Sequence, residues 1–141
     1  MVYVLKLLLF FIFHFRLAYT YKQGIKVEGR ILCQKRPIPN LEIILMENDL
    51  IFDDTLERGI TDKNGYFNLS GEDNELTRIE PYIKLTKTCP RDYIPSHHDT
   101  ITFYVPSNAL KYYQNHYKYF YNFGDIELHN FANQLHQFPK I

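Results

Sequence analysis

The chain has 141 residues and carries 16 Lys and Arg against 16 Asp and Glu, a formal charge of zero. That length holds one domain, and bases interspersed with acids leave no patch of the kind a nucleic-acid backbone requires, so nucleic acid is not an expected partner. Two cysteines leave room for a single staple.

Lys6 precedes an apolar run from Leu7 to Phe13, and Ala18 and Thr20 fall at the −3 and −1 positions of a cut after Thr20. This is the layout of a secretory signal peptide. The apolar run is well short of the ~20 residues that cross a bilayer, and His14 and Arg16 interrupt its extension. The expected organisation is a signal peptide at 1–20, a domain at 21–130 and a C-terminal tail at 131–141. The mature protein is then secreted and extracellular, with no transmembrane segment once the leader is removed. In an oxidising compartment an even cysteine count favours a Cys33–Cys89 disulfide, two unpaired buried thiols being the alternative.

From Gly24 onward apolar residues recur every second position, as in half-buried strands. Ile25, Val27, Ile31 and Cys33 share one face; Pro37 and Pro39 break the pattern, and Leu41, Ile43 and Leu45 mark a second strand. Asn48 to Thr55 reads as an acidic loop, with a short strand around Arg58 to Thr61. Asp62-Lys63-Asn64-Gly65 is a turn in which Asn64 and Gly65 are suited to positive φ, and it leads to a strand with Phe67 and Leu69 inward. A polar turn is expected at Gly71 to Glu75. Further strands follow at Glu80 to Cys89, Thr100 to Pro106 and Phe123 to Leu128, with a helical turn or two between Asn108 and Asn115. The final residues from Asn130 show Phe131, Leu135 and Phe138 at helix-like spacing and are expected to form a loose tail. About seven short strands separated by turns argue an all-β sandwich of two antiparallel sheets.

The order Val27-Glu-Gly29-Arg-Ile-Leu-Cys33, Pro39, Asp53-Asp54-Thr-Leu and Thr61-Asp62-Lys-Asn-Gly65-Tyr-Phe67 continues through Leu69-Ser-Gly71, Glu75, Ile79-Glu80-Pro81 and Cys89 to Phe123-Gly124-Asp-Ile126-Glu-Leu128. Together these resemble the nematode transthyretin-like family, over about residues 25 to 130. The resemblance implies a secreted transthyretin or prealbumin-like sandwich whose cysteine pair ties two strands, and a role in extracellular binding or signalling. Lys87-Thr88 precede Cys89 where many members carry a histidine, which leaves in question any ligand contact made by that histidine in relatives. The hydroxyisourate hydrolases that share the fold use a Tyr-Arg-Gly-Ser terminus, whereas this chain ends Gln137-Phe-Pro-Lys-Ile141. That activity is therefore not expected.

Other catalytic signals are weak, and neither a catalytic residue nor a cofactor is expected. Ser70, Ser96 and Ser107 lack a Gly-x-Ser-x-Gly setting, and the cysteines are committed to the staple. His97, His98 and Asp99 offer too few convergent ligands for a metal, and Asp49, Asp53 and Asp54 lack the spacing of a calcium loop, so both read as solvated. Two features rise above this background. Asn68-Leu69-Ser70 is a glycosylation sequon whose Asn68 should face outward if Phe67 and Leu69 face in. Between Tyr112 and Phe123, seven of twelve residues are aromatic, and Tyr112, Tyr113, Tyr117, Tyr119, Phe120 and Tyr121 form a candidate binding surface, or else cover an open sheet edge. The favoured reading is a non-enzymatic extracellular module that binds a protein or a small hydrophobic ligand, the alternative being a carrier of a lipid or other small hydrophobe. A carrier would need an enclosed apolar cavity or a channel between subunits. Oligomeric state is left open by strand ends that carry prolines and lysines.

Overall fold

The computed structural model describes residues 21–49, 52–75, 77–86, 88–89, 99–108, 111–113 and 118–131, with the backbone alone at 21, 75, 111–113 and 118. Residues 1–20, expected as a leader, His97, His98 and everything beyond Phe131 lie outside the described residues.

The strands are β1 (Tyr21–Cys33), β2 (Arg36–Pro37), β3 (Glu42–Glu47), β4 (Asp54–Ile60), β5 (Tyr66–Glu75), β6 (Pro81–Thr86), β7 (Thr100–Tyr104), β8 (Lys111–Tyr113) and β9 (Lys118–Glu127), followed by a 3-10 turn at Leu128–Phe131. They form the expected all-β sandwich. One sheet has five strands, with β1 central between β9 and the pair β2 and β5, and β8 beyond β9; the other runs β4-β3-β6-β7. Neighbours are antiparallel, except that β9 runs parallel to β1.

The alternation seen in the sequence sets which side chains fill the interior. Ile25, Val27 and Ile31 of β1 and Phe67 and Leu69 of β5 face Ile43 and Leu45 of β3 and Ile83 and Leu85 of β6, all of them buried in one cluster. Each such side chain contributes roughly 1.5–3 kcal/mol when taken fully out of water. β-branched residues dominate because their stiff side chains suit a pleated surface. Along one flank the sheets close on each other: a Cβ added to Gly71 of β5 would stand 2.5 Å from the Leu56 Cβ of β4. Only glycine permits that approach.

Nine strands are described where about seven were expected, and the differences have physical causes. The polar run Gly71 to Glu75 is a strand and not a turn, because β5 stays paired with β1 as far as Tyr21↔Glu75. Backbone pairing there outlasts the apolar alternation, leaving Glu72 and Asn74 exposed. β4 likewise begins at Asp54, earlier than the residues around Arg58. Lys111–Tyr113, placed in a helical turn by the sequence reading, instead pairs with β9, which itself starts at Lys118 and not at Phe123. Phe131 is anchored: its ring meets Phe103 edge-on at 5.0 Å. In the turn before β5, Gly65 alone takes a positive φ, of 78°, while Asn64 does not.

Cys33 and Cys89 are joined in a disulfide, with their Cα atoms 5.8 Å apart. Cys89 lies past the end of β6, so the bond ties the end of β1 in one sheet to the exit of β6 in the other.

Candidate functional site

The sharpest sequence motif, Thr61 to Phe67, builds the frame for everything near it. The Thr61 hydroxyl is buried; it accepts the Leu41 N–H at 2.9 Å and donates to the Ile38 carbonyl at 2.7 Å, while the Thr61 N–H donates to the Leu41 carbonyl at 2.9 Å. Asp62 folds back over the turn, and its Oδ1 accepts the N–H groups of Asn64 and Tyr66 at 2.8 and 2.9 Å. Gly65 completes it: a side chain there would collide with the Ile31 carbonyl, whose own N–H donates to Gly65 O at 2.8 Å. The motif thus locks the β2–β3 connection, the crossover from β4 in one sheet to β5 in the other, and β1 together, which is a folding role.

That frame positions an open concavity of about 490 Å³ on the outer face of the five-stranded sheet. Tyr66 and Asn68 of β5, Glu28 and Arg30 of β1, and Asn122 and Asp125 of β9 line it. All six face outward: alternation from the inward Val27, Phe67 and Phe123 sets five of them, and the bulge in β9 between Asn122 and Asp125 brings Asp125, next to the inward Ile126, onto the same face. Across the floor, Asn68 is paired with Glu28 and Glu28 with Asn122, and the Asn122 amide donates to the Glu28 carboxylate at 2.8 Å. On one side Arg30 lies over the Tyr66 ring, 5.4 Å from its centroid, donates to the Tyr66 hydroxyl at 3.3 Å and stands 3.5 Å from Asp125. The Tyr66 ring is still 50% exposed.

The outer face of the four-stranded sheet has a different character. Thr55, Met46, Tyr82 and Tyr104 pair in a row across all four strands. Tyr82 is buried although it points outward: its hydroxyl donates to Asp53 at 2.6 Å and its ring lies 5.2 Å from that of Tyr104. Burial first, and then the bond to the Asp53 carboxylate, push its phenol well above the usual tyrosine range. Asp53 is therefore a partner in this patch and not simply solvated. Tyr104 is 49% exposed, and Phe52, next to Asp53, is 81% exposed. At the same end the buried Glu47 carboxylate accepts the Glu80 N–H at 2.8 and 2.9 Å. Asp49 is raised, first by burial and then by the charges of Asp54, Asp73 and Asp53. Among the described residues no three His, Cys, Asp or Glu side chains gather as a metal site would require.

The aromatic segment marked in the sequence is divided by strand alternation. Tyr119 and Tyr121 of β9 pack partly buried against the core, with Tyr121 edge-on to Phe123 at 4.8 Å. Phe120 between them faces outward beside Lys26. Tyr112 and Tyr113 lie on β8, where the backbone alone is described, and Tyr117 lies outside the described residues. Asn68 is exposed on the outer face of β5. The Tyr82–Tyr104 patch was missed in the sequence. The alternation of Tyr82 against Ile83 and of Tyr104 against Phe103 carried the signal, but nothing local showed that β6 and β7 are neighbours.

Comparison with known proteins bears on the whole arrangement. Transthyretin-like protein 2 of Caenorhabditis elegans is 35% identical over 80 residues, covering 52% of this chain and 54% of that protein. Transthyretin-like protein 46 is 44% identical over 69 residues, 48% of this chain and 38% of that protein, and transthyretin-like protein 33 is 29% identical over 111 residues, 77% and 76%. The chain thus spans about half or less of the length of the first two relatives and three quarters of the third. A model of the transthyretin-like family matches residues 28–106, from β1 past β7, taking in the Thr61–Phe67 turn and both disulfide cysteines. More than half of the chain is covered by that match, and the chain belongs to the transthyretin-like family.

Proposed function

We propose that the protein acts outside the cell as a non-catalytic binding module, and that a partner protein docks on the outer face of the four-stranded sheet. The observation that carries this reading is the row ending in Tyr82 and Tyr104. It offers the half-exposed ring of Tyr104 braced by Tyr82, which is itself held by the Asp53 carboxylate, with the exposed Phe52 next in sequence to that carboxylate. Rigid, amphipathic aromatics of this kind are favoured at the centres of protein interfaces. The disulfide and the signal-like leader support secretion. A carrier that used the space between the sheets is disfavoured, because Val27, Ile43, Leu45 and Ile83 stand there with no exposed surface.

Secreted, fluorescently labelled protein should bind dissociated nematode cells saturably and be competed by unlabelled protein. Phe52→Ser with Tyr104→Ser should abolish binding while the protein stays folded, its Tm lowered by no more than the loss of one ring contact accounts for. Binding that survives both substitutions would refute this docking face, and a secreted-expression product retained in the cell with its leader would refute the extracellular assignment.

A further inference from the structure

We propose that the concavity on the outer face of the five-stranded sheet is the seat of the protein's own N-linked glycan, attached at Asn68, whose first sugar packs on the Tyr66 ring. The occupant is named by the covalent chemistry on the page. Asn68-Leu69-Ser70 is a sequon, and its asparagine is exposed at the floor of the concavity. Sugar attached to the Asn68 amide nitrogen does not diffuse over the surface, so what lies within one sugar's reach decides whether it is held.

Three relationships place a cradle there. Tyr66 and Asn68 are two residues apart on one strand, so they share a face at a spacing of about 6.6–6.8 Å, and the half-exposed ring flanks the attachment point. A sugar presents a flat array of C–H groups that suits a ring face, while Arg30 occupies the neighbouring position and holds the ring in place. Beyond Asn68 lie the carboxylate of Glu28 and the amide of Asn122, already hydrogen-bonded to each other. They supply the acceptor and donor that an acetamido group and hydroxyls need. The concavity, about 490 Å³, falls within the ~300–1,000 Å³ range of small-ligand sites. A seated glycan would cover this face and leave the four-stranded sheet as the one open to a partner.

The inference rests on the secreted reading, and the test separates the two. The full chain is expressed through the secretory pathway of insect cells and its intact mass taken before and after glycan removal. Wild type should carry a glycan, and Asn68→Gln and Ser70→Ala, which destroy the sequon in two different ways, should not. The folding equilibrium constant of the glycosylated protein should exceed that of both variants roughly three- to tenfold, the scale of one ring contact. In a Tyr66→Ala background that gain should vanish. Secreted protein with the disulfide formed but Asn68 unmodified would overturn the proposal and leave secretion standing, whereas a retained leader would overturn both. An equal gain with and without Tyr66 would overturn the cradle.

Discussion

The two oxygens of the Glu127 carboxylate accept the backbone N–H groups of Gln34 at 2.8 Å and Lys35 at 2.7 Å. Gln34 and Lys35 form the two-residue link between β1 and β2, and both adopt positive φ, 51° and 63°. Side chains resist that region by about 1–2 kcal/mol per residue. The carboxylate at the end of β9 therefore holds a turn 92 residues away in sequence in the conformation the hairpin needs.

Glu127→Ala should lower stability at pH 7 by about 1–2 kcal/mol, the cost of losing hydrogen bonds to a charged acceptor. Burial acts to raise Glu127, and the bonds from Lys35, His129 and Gln34 outweigh it, so its pKa is lowered from 4.5. A lowered carboxylate contributes stability above its unfolded value and loses it as pH falls through the folded one. Urea titrations should thus show the difference between variant and wild type at pH 7 and see it shrink toward pH 3. A gap of the same size at both would rule out the carboxylate as its source.

Thr61→Val keeps the shape of a buried side chain and removes its hydroxyl. It would strand the Leu41 N–H and the Ile38 carbonyl in the interior. The expected cost is about 2–3 kcal/mol by urea denaturation, with Thr61→Ser much milder because it keeps both bonds. Equal losses in the two variants would mean that the methyl and not the hydroxyl matters.

Reduction of Cys33–Cys89, or the double change Cys33→Ala with Cys89→Ala, should lower stability by about 4 kcal/mol in the chain-entropy account, given the 56-residue separation. Urea denaturation with and without reductant checks this, and a loss below about 1 kcal/mol would rule out the bond as the staple between the two sheets.

Tyr82→Phe should cost about 1–2 kcal/mol at pH 7 through loss of the bond to Asp53. The Tyr82 pKa is raised from 10.0, so the stability it contributes is fully present below that value and falls as pH rises beyond it. Wild type should lose stability more steeply than the variant above pH 10 in denaturant titrations. Parallel alkaline limbs would show that another tyrosine governs them.

The sequence by itself determined the class of fold, the inward set of residues, the position of the tight turn before Tyr66, and the pairing of two cysteines. The first three are local, since period-two alternation and glycine and proline chemistry are written within a few residues of one another, whereas the cysteine pairing follows from a count of two in the whole chain. Tertiary structure alone decided which strands are neighbours. It set β9 parallel to β1, extended β5 through Gly71 to Glu75, turned Tyr119 and Tyr121 inward, and brought Tyr82 beside Tyr104 and Glu28 between Asn68 and Asn122. The reason is that strand pairing is made by backbone groups, which every residue but proline carries alike, so the order of strands depends on how whole apolar faces bury against each other. The two surfaces proposed above depend on such pairings, of Glu28 with Asn68 and Asn122 and of Tyr82 with Tyr104, residues that lie 22 or more positions apart.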